Sequence, residues 1–265
     1  MSFSLAALLI VAFQGPALPI HAQTKSIENS REPIRVLFVG NSYTSFNNLP
    51  LMFSRLSEAG AKPKVFVGTS LRGGWTLGRH WTEQKPATKQ AIENGKFDFV
   101  IIQEQSQMPF ADPNVTLEYG ARLGELAKTN GATPIFYMTW ARLNQQDNQR
   151  KITATYRRLG EKVKTPVAPV GLAWESVLKS DKNIKLHQSD KSHPTPAGTY
   201  LASCVFYATI HQQSPVGLPV RLYTDPNDKG KILVQLTNAN AKILQQAAWK
   251  AVQEEMRLSN QPSKE

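Results

Sequence analysis

Short, nearly continuous apolar runs alternate along the chain with longer segments whose apolar residues fall three or four positions apart. The runs at 34–40 (IRVLFVG), 64–70 (KVFVGTS), 97–103 (FDFVIIQ), 133–140 (TPIFYMTW) and 166–174 (PVAPVGLAW) are rich in β-branched and aromatic residues and predict buried strands. The intervening segments 47–60, 85–95, 115–131 and 148–164 predict helices. In the first of these, Leu49, Met52, Phe53 and Leu56 share one helical face, and Gly60 is placed to stop the helix. Strands that alternate with helices imply a parallel sheet covered on both faces, so the expected fold is a three-layer α/β/α arrangement with a five-stranded parallel sheet. Ligands of such sheets gather outside the carboxyl ends of the strands, which directs attention to the loops after Val39, Val67, Ile102, Thr139 and Leu172.

Length and composition add a compartment. The 265 residues, 41% hydrophobic, suffice for one well-packed domain. The first 22 residues carry no Lys, Arg, Asp or Glu, and LAALLIVAF (5–13) is too short to span a bilayer, so 1–22 reads as a secretion signal with Ala22 at the cleavage point, an uncut N-terminal membrane anchor being the alternative. The expectations are a secreted or periplasmic protein without stable membrane insertion after signal removal, a linker over 23–33, a domain over 34–258 and a disordered tail over 259–265. The single cysteine, Cys204, excludes an intramolecular disulfide and lies in an apolar helical stretch, TYLASCVFYATI, where a buried, inert thiol is expected. The net charge of +11 is scattered along the chain, and the basic residues of 150–164 fall at the spacing of a solvated helix face. No nucleic-acid partner is expected, a monomer is, and attraction to an acidic glycan or envelope is the weaker reading of the charge.

Candidate chemistry sits at the two ends of the domain. Ser42, in VGNSYTSF, follows the carboxyl end of the first strand, where a strand-to-helix turn exposes a hydroxyl beside backbone N–H groups. A serine in a turn needs a base and an orienting carboxylate to act as a nucleophile. SDKSHPTP (189–196) supplies Asp190 three residues before His193, a spacing that lets the carboxylate fix the imidazole tautomer while the other ring nitrogen faces the serine. No Cys/His cluster or HExxH pattern is present, so neither metal nor cofactor is expected. A flavodoxin-like phosphate or flavin cradle built from GNSYTS is the competing reading, although it leaves Asp190 and His193 unused.

GNSYT and DKSHPT together resemble the first and last sequence blocks of the SGNH (GDSL-type) hydrolases, over 34–210. The resemblance implies a flavodoxin-like fold and an esterase whose triad maps to Ser42, Asp190 and His193. It also implies an oxyanion hole made by the N–H of Ser42, the N–H of a glycine in SLRGGW and a side-chain amide after the third strand. Gly74 is preferred over Gly73 for the second donor, and Gln103 and Gln105 over Gln107 for the third. The chain departs from the family in having Asn41 where an aspartate is usual, and IIQEQSQMP in place of Gly-x-Asn-Asp; QEQS resembles one subgroup. Glu104 is expected on the opposite side of its strand, as an exposed or edge charge. His80, Trp140 and Arg142 are candidates for substrate binding, each with a packing role as the plainer alternative. The implied activity is hydrolysis of small-molecule or glycan esters, and the missing asparagine keeps open a catalytically impaired scaffold that binds glycans.

Overall fold

The computed structural model describes residues 32–60, 63–84, 87–225, 227, 230–259 and 261. The expected signal over 1–22, nearly all of the 23–33 linker and most of the 259–265 tail lie outside them.

Five strands, β1 (Ile34–Gly40), β2 (Val65–Leu71), β3 (Phe99–Ile102), β4 (Thr133–Tyr137) and β5 (Val167–Ala168), pair in parallel in the order β2-β1-β3-β4-β5. Neighbouring side chains of β1 point to opposite faces. Val36 and Phe38 therefore enter one apolar cluster, and Leu37 and Val39 the other. The first cluster is closed by α2 (Leu49–Ala59), α8 (Val170–Ser180), α9 (Pro196–His211) and α10 (Asn238–Ser259). The second lies under α3 (Leu77–Thr82), α6 (Pro113–Thr129) and α7 (Gln149–Val163), with α4 (Ala87–Asn94) at the β2 side. In this order the connections reverse direction between β1 and β3, which opens a crevice at their carboxyl ends. Two short helices enter from that crevice, α1 (Ser42–Ser45) and α5 (Met108–Ala111).

The run 166–174 departs from expectation. Only Val167 and Ala168 pair as β5, and from Val170 onward the chain is helical. A buried helix and a buried strand have the same apolar composition over so short a run, and Pro169 takes the N-cap position of α8 between them. Gly171 permits the abrupt change: its N–H donates to Met138 O at 2.9 Å, and a Cβ there would meet Thr139 O at 2.1 Å. Beyond the expected elements, an antiparallel pair, β6 (Arg221–Tyr223) and β7 (Ile232–Gln235), precedes α10, whose Ala241, Leu244, Ala248 and Val252 cover α8 and α9. Cys204 is fully buried in α9, as expected, and burial pushes its thiol pKa up. Among the described residues no helix is long and apolar enough to cross a membrane.

Candidate active site

β1 ends at Gly40, which the Gln103 side chain packs against: a Cβ at Gly40 would lie 2.5 Å from Gln103 Oε1. The next residue, Asn41, caps α1, its Oδ1 accepting the Tyr43 N–H at 3.1 Å. The N–H groups of this turn are almost all consumed internally. Asn41 N–H donates to Gln103 Oε1 at 3.0 Å, and Thr44 N–H and Ser45 N–H both donate to Asn41 O at 3.0 Å. Ser42 N–H alone in the turn has no acceptor among the described residues. A phosphate cradle needs several free N–H groups converging on one anion. This turn offers one, as suits a single oxyanion donor.

Ser42 is half-buried, and its Oγ lies 2.9 Å from His193 Nε2. His193 Nδ1 lies 2.5 Å from Asp190 Oδ2, while Asp190 Oδ1 accepts the N–H groups of Ser192 at 2.9 Å and His193 at 3.0 Å. The hydrogen bond from His193 holds the Asp190 carboxyl down at about 2, so Nδ1 carries the proton and Nε2 is the acceptor facing the serine hydroxyl. The ring of Phe46 stacks on the imidazole at 4.2 Å between centroids and 15° between planes.

The loop bearing Asp190 and His193 is far from Ser42 in sequence and is fastened to it by side chains. Tyr43 Oη and Ser192 Oγ are 2.8 Å apart, Trp140 Nε1 donates to Ser192 O at 3.0 Å, and Asn47 Nδ2 donates to Pro194 O at 3.0 Å and to Thr199 Oγ1 at 2.8 Å. Asn47 and Asn48 both adopt the left-handed conformation (φ 52° each), which asparagine tolerates better than most residues. Trp140 lies between the rings of Tyr43 and Trp174, at 4.5 Å and 3.8 Å. His187, beneath the same loop, accepts from Trp174 Nε1 at Nδ1 and donates to Ala141 O at 3.1 Å, and burial lowers its pKa.

Two of the three expected substrate-binding residues are buried among protein groups. His80 is fully buried, its Nε2 donating to Gly40 O at 2.9 Å and its Nδ1 lying 2.8 Å from Thr88 Oγ1, and burial lowers its pKa. Trp140 is 1% exposed inside its aromatic stack. Arg142 is half-buried at the carboxyl side of the sheet, its Nη2 donating to Ser106 Oγ at 3.2 Å.

Of the two glutamines, Gln103 is fully engaged. Its Oε1 accepts from Asn41 N–H, a contact that only an oxygen can make, and from Thr44 Oγ1 (2.9 Å). Its Nε2 must then donate to Asn41 Oδ1 at 3.0 Å and to Glu104 O, leaving no hydrogen for an oxyanion. Gln105 is half-buried, and its Oε1 accepts from Gln107 N–H at 2.8 Å. Its amide nitrogen has no acceptor among the described residues. Gly74 has φ 70° at the third position of a turn closed by Trp75 N–H donating to Arg72 O at 3.1 Å, a conformation that favours glycine.

Two residues carry more than their sequence context signalled. Asn41 joins three loops: besides capping α1 and pairing with Gln103, its Nδ2 donates to Trp75 O at 2.9 Å. An aspartate could not make that bond, which gives the departure from the usual acid a physical reason. Glu104 is fully buried rather than exposed, because β3 ends at Ile102 and strand alternation no longer governs the next residues. Burial pushes its carboxyl up to about 7. Among the described residues no cluster of three or more His, Cys, Asp or Glu side chains is arranged to hold a metal ion.

No protein-family model and no curated protein matches the chain. Among solved structures, a protein from Slackia heliotrinireducens, proposed to be an SGNH hydrolase, is 28% identical, with a TM-score of 0.59 over 68% of this chain and all (100%) of its own. A DUF4886 family protein from Bacteroides uniformis is 17% identical, with a TM-score of 0.66 over 84% of this chain and 95% of its own. An acetyl xylan esterase, AlAXEase, is 12% identical, with a TM-score of 0.55 over 66% of this chain and 98% of its own. Sheet order, crevice and likeness agree: the chain has the fold of the SGNH hydrolases.

Proposed function

We propose that the protein is an exported serine esterase that hydrolyses short-chain acyl esters, with O-acetyl groups on carbohydrates as the favoured substrate class. The 2.9 Å contact between Ser42 Oγ and His193 Nε2, backed by the Asp190 carboxylate on Nδ1, carries the reading. In this mechanism His193 Nε2 takes the hydroxyl proton as Ser42 Oγ attacks the ester carbonyl. His193 then gives that proton to the departing alcohol oxygen, and an acyl-enzyme remains. Water, deprotonated by the same nitrogen, releases the acid and restores Ser42. The N–H groups of Ser42 and Gly74 and the Gln105 amide serve as oxyanion donors, a role in which one donor is typically worth about 3–4 kcal/mol.

The substrate class rests on exposure. The Asp190 side chain is 46% exposed and that of His193 26%, so the site lies at the surface and suits a bulky alcohol part outside the crevice with a small acyl group inside. The acetyl xylan esterase among the structural neighbours points the same way. Export rests on the uncharged apolar start of the chain and predicts a mature protein beginning near Gln23, measurable by intact mass from the native host. The deciding experiment incubates purified protein with a fluorophosphonate and with aryl acetates. Labelling at Ser42 together with acetate release supports the proposal, and a protein that does neither refutes it.

A further inference from the structure

Glu104 is the buried acid that the proposed mechanism leaves unused. It follows β3 at the crevice, is fully buried, and lies between Gln103, which is locked into the nucleophile turn, and Gln105, whose amide nitrogen has no acceptor among the described residues. Its Oε1 accepts two backbone N–H groups from different segments, that of Gln105 at 2.6 Å and that of Leu77 at 3.0 Å. Leu77 opens α3 directly after the turn that holds Gly74, and the side chain of Thr76 caps that helix by accepting the Arg79 N–H at 3.2 Å. One carboxylate oxygen thus ties the backbone beside Gly74 to the backbone of Gln105.

We infer that Glu104 is a positioning residue that sets the distance between the two loops supplying the oxyanion donors of Gly74 and Gln105. The inference rests on the esterase reading above and deepens it. A preorganised hole stabilises the transition state only if its donors are already in place, so fixing two loops by one buried acceptor acts on turnover more than on substrate affinity. Nothing else in the immediate surroundings requires an acid. Its hydrogen-bond partners are the Tyr156 hydroxyl of α7, which accepts the Glu104 N–H at 3.2 Å, Gln103 Nε2, which donates to Glu104 O, and the two N–H donors; its Oε2 is buried without a partner, and no salt bridge among the described residues includes it. A hydrophobic side chain of the same size would fill the space, but it would leave two buried N–H groups without an acceptor. Burial also keeps the carboxyl largely protonated up to about pH 7, which limits the negative charge beside a developing oxyanion.

Three substitutions separate positioning from bulk packing. Glu104→Gln keeps an oxygen in the same place, while Glu104→Ala removes the acceptor and Glu104→Asp draws it back by one methylene. Expected kcat on an aryl acetate is within threefold of wild type for Gln and lower by at least tenfold for Ala and Asp, with KM changed less than about threefold throughout. Each is measured well below its own melting temperature. Should the Ala or Asp protein fail to fold, amide exchange in the wild type supplies the test, with protected N–H groups expected at both Leu77 and Gln105. Wild-type kcat in the Ala or Asp protein, loss of activity in the Gln protein equal to that in Ala, or rapid exchange at either amide would overturn the inference. A wild type that neither hydrolyses the ester nor labels at Ser42 would instead overturn the esterase reading itself.

Discussion

The hydroxyl of Tyr43, next in sequence to Ser42, lies 2.8 Å from the hydroxyl of Ser192, next in sequence to His193. Each partner of the proposed nucleophile–base pair is therefore flanked by a residue that holds the other's loop. Burial raises the pKa of Tyr43, so its hydroxyl keeps its proton across the physiological range and remains a neutral hydrogen-bonding group.

Tyr43→Phe removes that contact while keeping the stack on Trp140. The expected result is a stability loss of about 1 kcal/mol, the net worth of one buried hydrogen bond, and a kcat several-fold lower with little change in KM. Thermal unfolding and steady-state kinetics on one ester measure both.

Ser42→Ala and His193→Ala should each abolish nearly all turnover, and the double variant should be scarcely worse than either, since members of such a unit act together. Asp190→Asn should also be severely impaired, because an amide does not favour the Nδ1–H tautomer. Esterase activity near wild type in Ser42→Ala would reduce Ser42 to a turn residue and end the assignment.

The two glutamines should part company. Gln105→Ala is expected to lower kcat about 100-fold with little effect on stability, as loss of one transition-state donor does. Gln103→Ala is expected to lower stability by about 2–3 kcal/mol, because it strands the buried Asn41 N–H. Kinetics beside denaturant titrations separates the outcomes, and equal effects from the two changes would count against the oxyanion assignment.

Asn41→Asp restores the acid usual in the SGNH family and should nonetheless destabilise this chain. The bond to Trp75 O is lost, and a carboxylate oxygen is set against that carbonyl. A stability loss of about 1–3 kcal/mol is expected above pH 5, measured by urea unfolding.

Glu104 gives stability a pH dependence of definite sign. Its carboxyl is raised from 4.5 to about 7 in the folded protein, so the fold binds this proton more tightly than the unfolded chain does. The contribution is fully present below pH 4.5 and is lost as pH rises through about 7. Relative to wild type, Glu104→Gln should gain stability across that window by up to about 3 kcal/mol, following the linkage between pKa shift and folding free energy. Denaturant titrations of both proteins at pH 5 and pH 8 would show the gap widening at the higher value.

The sheet was legible in the sequence because a strand buried on both faces is nearly continuously apolar, and 34–40 and 133–140 are mostly apolar for that reason. Ser42 was picked out by its place after β1, and Asp190 and His193 by their three-residue spacing, both of which are local properties of the chain. Gln103 and Gln105 were not separable: both are glutamines at the end of one strand, and what distinguishes them is that Asn41 and Thr44, about sixty residues away, together with Glu104 O occupy the hydrogen-bonding sites of the first. His80 and Trp140 carry the same side chains whether they line a crevice or fill a core, and their burial against Gly40 O and the Trp174 ring is visible only in the tertiary structure. Glu104 looked like a surface charge because charged residues rarely survive burial, and it took the convergence of two backbone N–H groups on one oxygen to offset that cost. The sequence by itself determined where most of the strands and helices lie and which residues are candidates for the chemistry. Only the tertiary structure decided which polar groups remain free to do it, because a hydrogen bond that satisfies a buried donor removes it from the site.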